Sequence, residues 1–120
     1  MVVVVGGYTS FGVRIFVFIM STQEMINDPK LARLFELRQV TKAYLFGSTA
    51  KGSASSTSDV DLLVEFNDSL SPIEIGEMWW ALYDDLRVFF GKPVDLLMQR
   101  SLKNPYFRKE VERTRKLIYG

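Results

Sequence analysis

Leu45-Phe46-Gly47-Ser48-Thr49-Ala50-Lys51-Gly52 and Ser58-Asp59-Val60-Asp61-Leu62-Leu63-Val64-Glu65-Phe66 are the two stretches from which the fold of this 120-residue chain is read. Lys42-Ala43-Tyr44-Leu45-Phe46 has the character of a short apolar strand that stops abruptly at Gly47-Ser48. A Gly- and Ser-rich loop with room for one helical turn follows, and a second strand is expected over 60–66. Side chains of a strand alternate between its faces, so Val60, Leu62, Val64 and Phe66 form one apolar row. Asp59, Asp61, Leu63 and Glu65 lie on the other. The apolar row requires helices against it, and the opposite face is left to the carboxylates.

Working outward, Ser21-Thr22-Gln23-Glu24 has the spacing of a capping box, and Asn27-Asp28-Pro29 supplies a second helix start. Leu31, Leu34, Phe35 and Arg38 then recur at three- and four-residue steps. Ser71-Pro72-Ile73-Glu74 opens a longer helix to about residue 90, which Gly91 ends. Its buried stripe is Ile75, Met78, Trp79, Leu82, Leu86 and Phe89, with Trp80, Tyr83 and Val88 on flanking faces. Residues 93–98 read as a third strand. Asn104-Pro105 begins a last helix carrying Phe107, Val111, Thr114 and Ile118 on one side and a basic, solvated face of Lys103, Arg108, Lys109, Arg113, Arg115 and Lys116 on the other. The fold class expected is α+β, a small mixed β-sheet with helices packed on one face and no internal repeat.

Composition narrows the chemistry. With 48% apolar and 24% charged residues the chain suits one folded domain, and a net charge of +1 gives no field for direct nucleic-acid binding. Zero Cys and zero His exclude disulfides, thiolate nucleophiles and His-based triads, so enzymatic chemistry falls to carboxylates, hydroxyls, lysines or an oxygen-ligated metal. Residues 1–20 form an apolar N-terminal extension with Arg14 as its one charged side chain. It fits neither a secretory signal nor a spanning helix, so no membrane partner and a cytoplasmic location are expected. Two readings of it stand: a hairpin of residues 2–5 with 13–19, or an extension preceding a start at Met20. The domain proper is expected over 21–120, its oligomeric state open.

Asp59 and Asp61 sit side by side at the head of a strand. Two such carboxylates resist joint ionisation unless a cation lies between them, which suits Mg2+ or Mn2+. Asp95, inside the apolar run Pro93-Val94-Asp95-Leu96-Leu97, needs a metal or a donor. If its strand pairs beside residues 60–66, it completes a three-carboxylate site. Two metal ions about 3.5 to 4 Å apart can activate an attacking oxygen and neutralise a leaving pyrophosphate there. Upstream, the turn at Gly47-Ser48 offers backbone N–H groups to triphosphate oxygens.

Gly47-Ser48, ten residues, then Asp59-Val60-Asp61 between two strands resembles the signature of the DNA polymerase β-like nucleotidyltransferase superfamily. Residues 45–52, 58–64 and 94–97 look more closely like its minimal nucleotidyltransferase (MNT) members. The resemblance implies that Gly47 and Ser48 hold the triphosphate, that Asp59 and Asp61 bind the metals, and that Asp95 is the third carboxylate, as ligand or base. Lys51 and Ser58 are further nucleotide-binding candidates, although Lys51 also fits a solvated charge and Ser58 a turn former. Lys51 stands where the family usually shows arginine, keeping the charge and losing the bidentate fork. By the same resemblance the substrate is ATP, the partner is a HEPN ribonuclease toxin, and transfer of AMP to a toxin tyrosine makes this chain an antitoxin. A binding-only antitoxin, with Trp80 and Tyr83 as interface anchors, and nucleotidyl transfer to a small molecule are the alternatives.

Overall fold

The computed structural model describes residues 21–47 and 59–120. The readings of residues 1–20, and of Ser48, Lys51 and Ser58, lie outside the described residues.

The helices begin where capping chemistry places them. For α1 (Thr22–Asn27), Ser21 N–H donates to Glu24 Oε1 at 2.8 Å and Glu24 N–H donates to Ser21 Oγ at 3.1 Å. Asp28 rather than Asn27 caps α2 (Pro29–Leu37), its carboxylate accepting from the N–H groups of Lys30 and Leu31. The chain reverses through Gln39 at φ 59° into β1 (Val40–Leu45). After β2 (Val60–Phe66) a second capping box, Ser71 with Glu74, opens α3 (Pro72–Phe90), which stops at Gly91 in the left-handed region. β3 (Val94–Met98), a short 3-10 turn (Gln99–Ser101), α4 (Pro105–Thr114) and β4 (Lys116–Tyr119) complete the order.

The sheet runs β3-β2-β1-β4, with β2 and β3 parallel and the β1 pairings antiparallel. It is the expected small mixed α+β architecture. The strand β4 departs from the expected long last helix: that helix ends at Thr114, and Ile118 is buried from a strand, not from a helix face. Arg115 is extended, and the residues after it pair with the free edge of β1, Lys116 opposite Leu45 and Tyr119 opposite Ala43. Pairing satisfies the backbone groups of that edge, a gain that a local count of apolar spacing does not register.

Both faces of the sheet carry apolar residues, unequally. The main core joins Val60, Leu62, Val64 and Phe66 of β2 to Met25, Leu31 and Phe35 below and Ile75, Leu82, Leu86 and Phe90 of α3. Two polar ties hold α3 in place: Arg38 donates from Nε to Asp85 Oδ2 at 2.7 Å, and Trp79 Nε1 donates to the Leu96 carbonyl at 3.2 Å. On the opposite face α4 covers a smaller cluster of Phe46, Leu63, Leu102 and Val111, flanked by Tyr44 and Leu97. Helical cover is thus heavy on one face and light on the one that bears the carboxylates. Among the described residues no helix is long and apolar enough to cross a membrane.

Leu82 is fully buried, whereas Val88 on the same helix is 84% exposed. Leu82→Ala is therefore expected to lose about 2–5 kcal/mol in urea unfolding, and Val88→Ser to stay within about 0.5 kcal/mol of the parent.

Candidate active site

The site is built on the N-terminal ends of β2 and β3. Asp61 is the second residue of β2, Asp95 the second of β3, and the parallel register sets them directly opposite one another. Their common parity turns both away from the main core, while Val60, Val94, Leu62 and Leu96 point into it. Asp59 stands just before β2 and is exposed, as is Asp95; Asp61 is half-buried. Neighbouring strands lie about 4.8 Å apart, so adjacent carboxylates on one face repel.

That repulsion is visible in Asp61. Its pKa is raised from 3.8 to about 6, first by burial, then by the charge of Asp95, then by that of Asp59. All three carboxylates are therefore in electrostatic reach of one point on β2. Among the described residues no three acidic side chains close into a ready-made metal cage. What the chain offers a hard cation is donor chemistry: oxygen ligands in register, with Asp61 penalised for its charge until a cation offsets it.

Gly47 adds a steric condition. It sits at φ +67°, and a Cβ built there would stand 2.6 Å from Asp61 Oδ2. The preceding residue is locked to the same strand, Phe46 N–H donating to the Asp61 carbonyl at 3.1 Å. The absence of a side chain at position 47 is what lets the Asp61 carboxylate lie against the end of β1. The sequence presents this glycine only as part of a phosphate-holding turn. Its contact with Asp61 depends on the β1–β2 register, Leu45 opposite Leu62, which no local pattern encodes. Of the expected site residues the structure thus brings together Gly47, Asp59, Asp61 and Asp95, and Ser48, Lys51 and Ser58 lie outside the described residues.

Phe46 is also more than a strand terminus. Its ring meets Phe107 of α4 edge-on at 6.2 Å, so the first turn of the last helix is anchored on the residue that precedes Gly47. The sequence contained this pair as two apolar residues, with nothing to link them.

Residues 29–120 match the family described as polymerase beta, nucleotidyltransferase. A relative from Thermococcus cleftensis named protein adenylyltransferase MntA is 38% identical over 88 residues, covering 71% of this chain and 85% of its own. A crystal structure of a toxin-antitoxin with AMP-PNP aligns at a TM-score of 0.61 and 28% identity, over 78% of this chain and 73% of that one. Another, tri-AMPylated Shewanella oneidensis HEPN toxin in complex with MNT antitoxin, aligns at 0.55 and 26% identity, over 82% and 72% of the two chains.

Two outcomes follow from the geometry. Gly47→Ala forces Asp61 aside and places a non-glycine residue in the left-handed region, at a cost of about 1–2 kcal/mol; weakened Mn2+ binding in titration calorimetry should accompany that loss of stability. For Asp61, the folded chain holds the proton more tightly than the unfolded chain between pH 3.8 and about 6, so its charge lowers stability as pH rises through that window. In metal-free protein, Asp61→Asn should accordingly raise Tm at pH 8, and the gain should vanish below the ordinary carboxylate range.

Proposed function

The chain belongs to the polymerase β-like nucleotidyltransferase family, and from that membership we propose that it transfers AMP from ATP to a tyrosine hydroxyl of a partner HEPN toxin and so acts as its antitoxin. The observation that carries the reading is the register of β2 and β3, which sets Asp61 beside Asp95 with Asp59 and Gly47 at the same end. Family membership alone would be compatible with a degenerate site. A half-buried carboxylate at Asp61, held beside two others at a cost to the folded chain, argues for use.

Asp59, Asp61 and Asp95 are the residues that would hold Mg2+ or Mn2+, as a pair of ions. The ions supply charge neutralisation for the triphosphate and the leaving pyrophosphate. The chain's own residues do the rest. Gly47 presents its backbone N–H to the phosphates, and Ser48, Lys51 and Ser58, which lie outside the described residues, are assigned to nucleotide binding in the same reading. Asp95, exposed at the edge strand, takes the proton of the incoming tyrosine as its oxygen attacks the α-phosphorus and pyrophosphate departs. The catalytic domain spans 21–120.

A binding-only role has one observation in its favour. Trp80 is 63% exposed on α3, next to Trp79 and Tyr83, with ring centroids 5.0 and 5.9 Å away. Aromatic side chains presented this way suit a protein contact. Enzyme and binding module therefore differ in what the carboxylates do, not in whether a partner is met.

With purified chain, Mg2+, labelled ATP and the HEPN partner, label is expected on a partner tyrosine. Asp59→Asn or Asp61→Asn should reduce it by about 10²–10³-fold while circular dichroism stays native. An Asp61→Asn protein that transfers at full rate would refute the mechanism; a stable complex that never takes label would favour the binding module.

A further inference from the structure

Tyrosines of this chain differ sharply in how they are held. Among the described residues, Tyr44 lies under the Arg115 guanidinium at 4.3 Å, Tyr83 stacks on Trp79 at 5.3 Å, and Tyr119 packs on Phe35 at 5.2 Å. Each of those three is partly buried. Tyr106 is 85% exposed. Its backbone is nonetheless fixed, since its N–H donates to the capping Asn104 Oδ1 at 2.9 Å in the first turn of α4.

That turn is set against the candidate site. Phe107, the next residue, packs on Phe46, which immediately precedes Gly47 and is hydrogen-bonded to the Asp61 carbonyl. The direction of the ring follows from the helix. Arg108 borders a cavity of about 250 Å³ with Glu65, Phe66 and Met98, at the ends of β2 and β3 away from Asp61 and Asp95. Successive helical residues are separated by about 100°, so with Phe107 facing the sheet, Tyr106 and Arg108 occupy opposite flanks. Tyr106 is therefore on the flank away from that cavity, on the side of the opposite ends of β2 and β3.

Resting on the reading of this chain as a tyrosine adenylyltransferase, we propose that Tyr106 is itself an acceptor, and that the enzyme adenylylates its own last helix. The Tyr106 hydroxyl oxygen forms a bond to the α-phosphorus of ATP. The bond from that phosphorus to the oxygen bridging to the β-phosphate breaks, pyrophosphate leaves, and the phenolic proton passes to Asp95. The product carries a phosphodiester and an adenosine beside Phe46 and Phe107, where the partner's tyrosine would otherwise approach. Self-modification thus competes with transfer to the partner.

The full-length chain should be incubated with Mg2+ and ATP, alone and with the HEPN partner, and both proteins read by intact mass and by peptide mapping. The expected result is a gain of one AMP on the chain, mapped to Tyr106 and reduced to background in Tyr106→Phe and in Asp61→Asn. Tyr106→Phe should still label the partner. A labelled partner beside an unlabelled chain overturns the inference and leaves the transfer reading intact, as does self-label that survives Tyr106→Phe. No AMP on either protein defeats the transfer reading, and the inference with it.

Discussion

Asp61 and Asp95 meet across a parallel strand pair, and a parallel pair obliges the chain to leave the sheet, cross it and re-enter in the same direction. Here the crossing is α3, whose 19 residues bury Ile75, Leu82, Leu86 and Phe90 against one face of the sheet. The main core is thus the means by which Asp95 returns beside Asp61. Each device that positions α3, the Ser71–Glu74 capping box, the Gly91 stop, the Arg38–Asp85 ion pair and the Trp79 bond to Leu96, also positions the second carboxylate. Packing and site are coupled through a single crossover.

The alternation of β2 keeps the two demands apart. Its even residues, Val60, Leu62, Val64 and Phe66, lie in the main core, and the odd ones carry Asp61, Leu63 and Glu65. A one-residue slip would exchange the faces and drive Asp61 into the core, so burial on one side enforces carboxylate placement on the other. Burial of Leu63 under α4 then limits how far the polar face extends, leaving Asp61 at the rim with Asp59 and Asp95. The raised pKa of Asp61 measures what this arrangement costs the folded chain in the absence of a counter-charge.

Local chemistry was legible. Both capping boxes, the proline starts, the Gly91 stop and the α3 stripe are short-range patterns whose physics acts within one helical turn, and they stand where they were expected. Phe90 is a small exception: it is buried at 3% exposure while Phe89, which the spacing places in the stripe, is half-buried. The pair Asp59 and Asp61, and the lone charge at Asp95, were visible as residue types that an apolar strand does not otherwise carry. The strand β4 was not legible, because Leu117-Ile118-Tyr119 follows a helix in step with its period and only the unpaired edge of β1 makes it a strand.

The sequence by itself therefore determined the helix starts and the central strand with its two unlike faces, since each is settled by neighbours within a few residues, and its composition showed acidic side chains at 59, 61 and 95 with no His or Cys. Tertiary structure alone decided that Asp61 lies opposite Asp95, that Gly47 must be bare for Asp61 to fit, that residues 116–119 pair with the free edge of β1, and that Phe107 of α4 packs on Phe46. Those are matters of register and crossing, and register is set by the fit of whole faces between segments far apart in the chain, which no single stretch of residues contains.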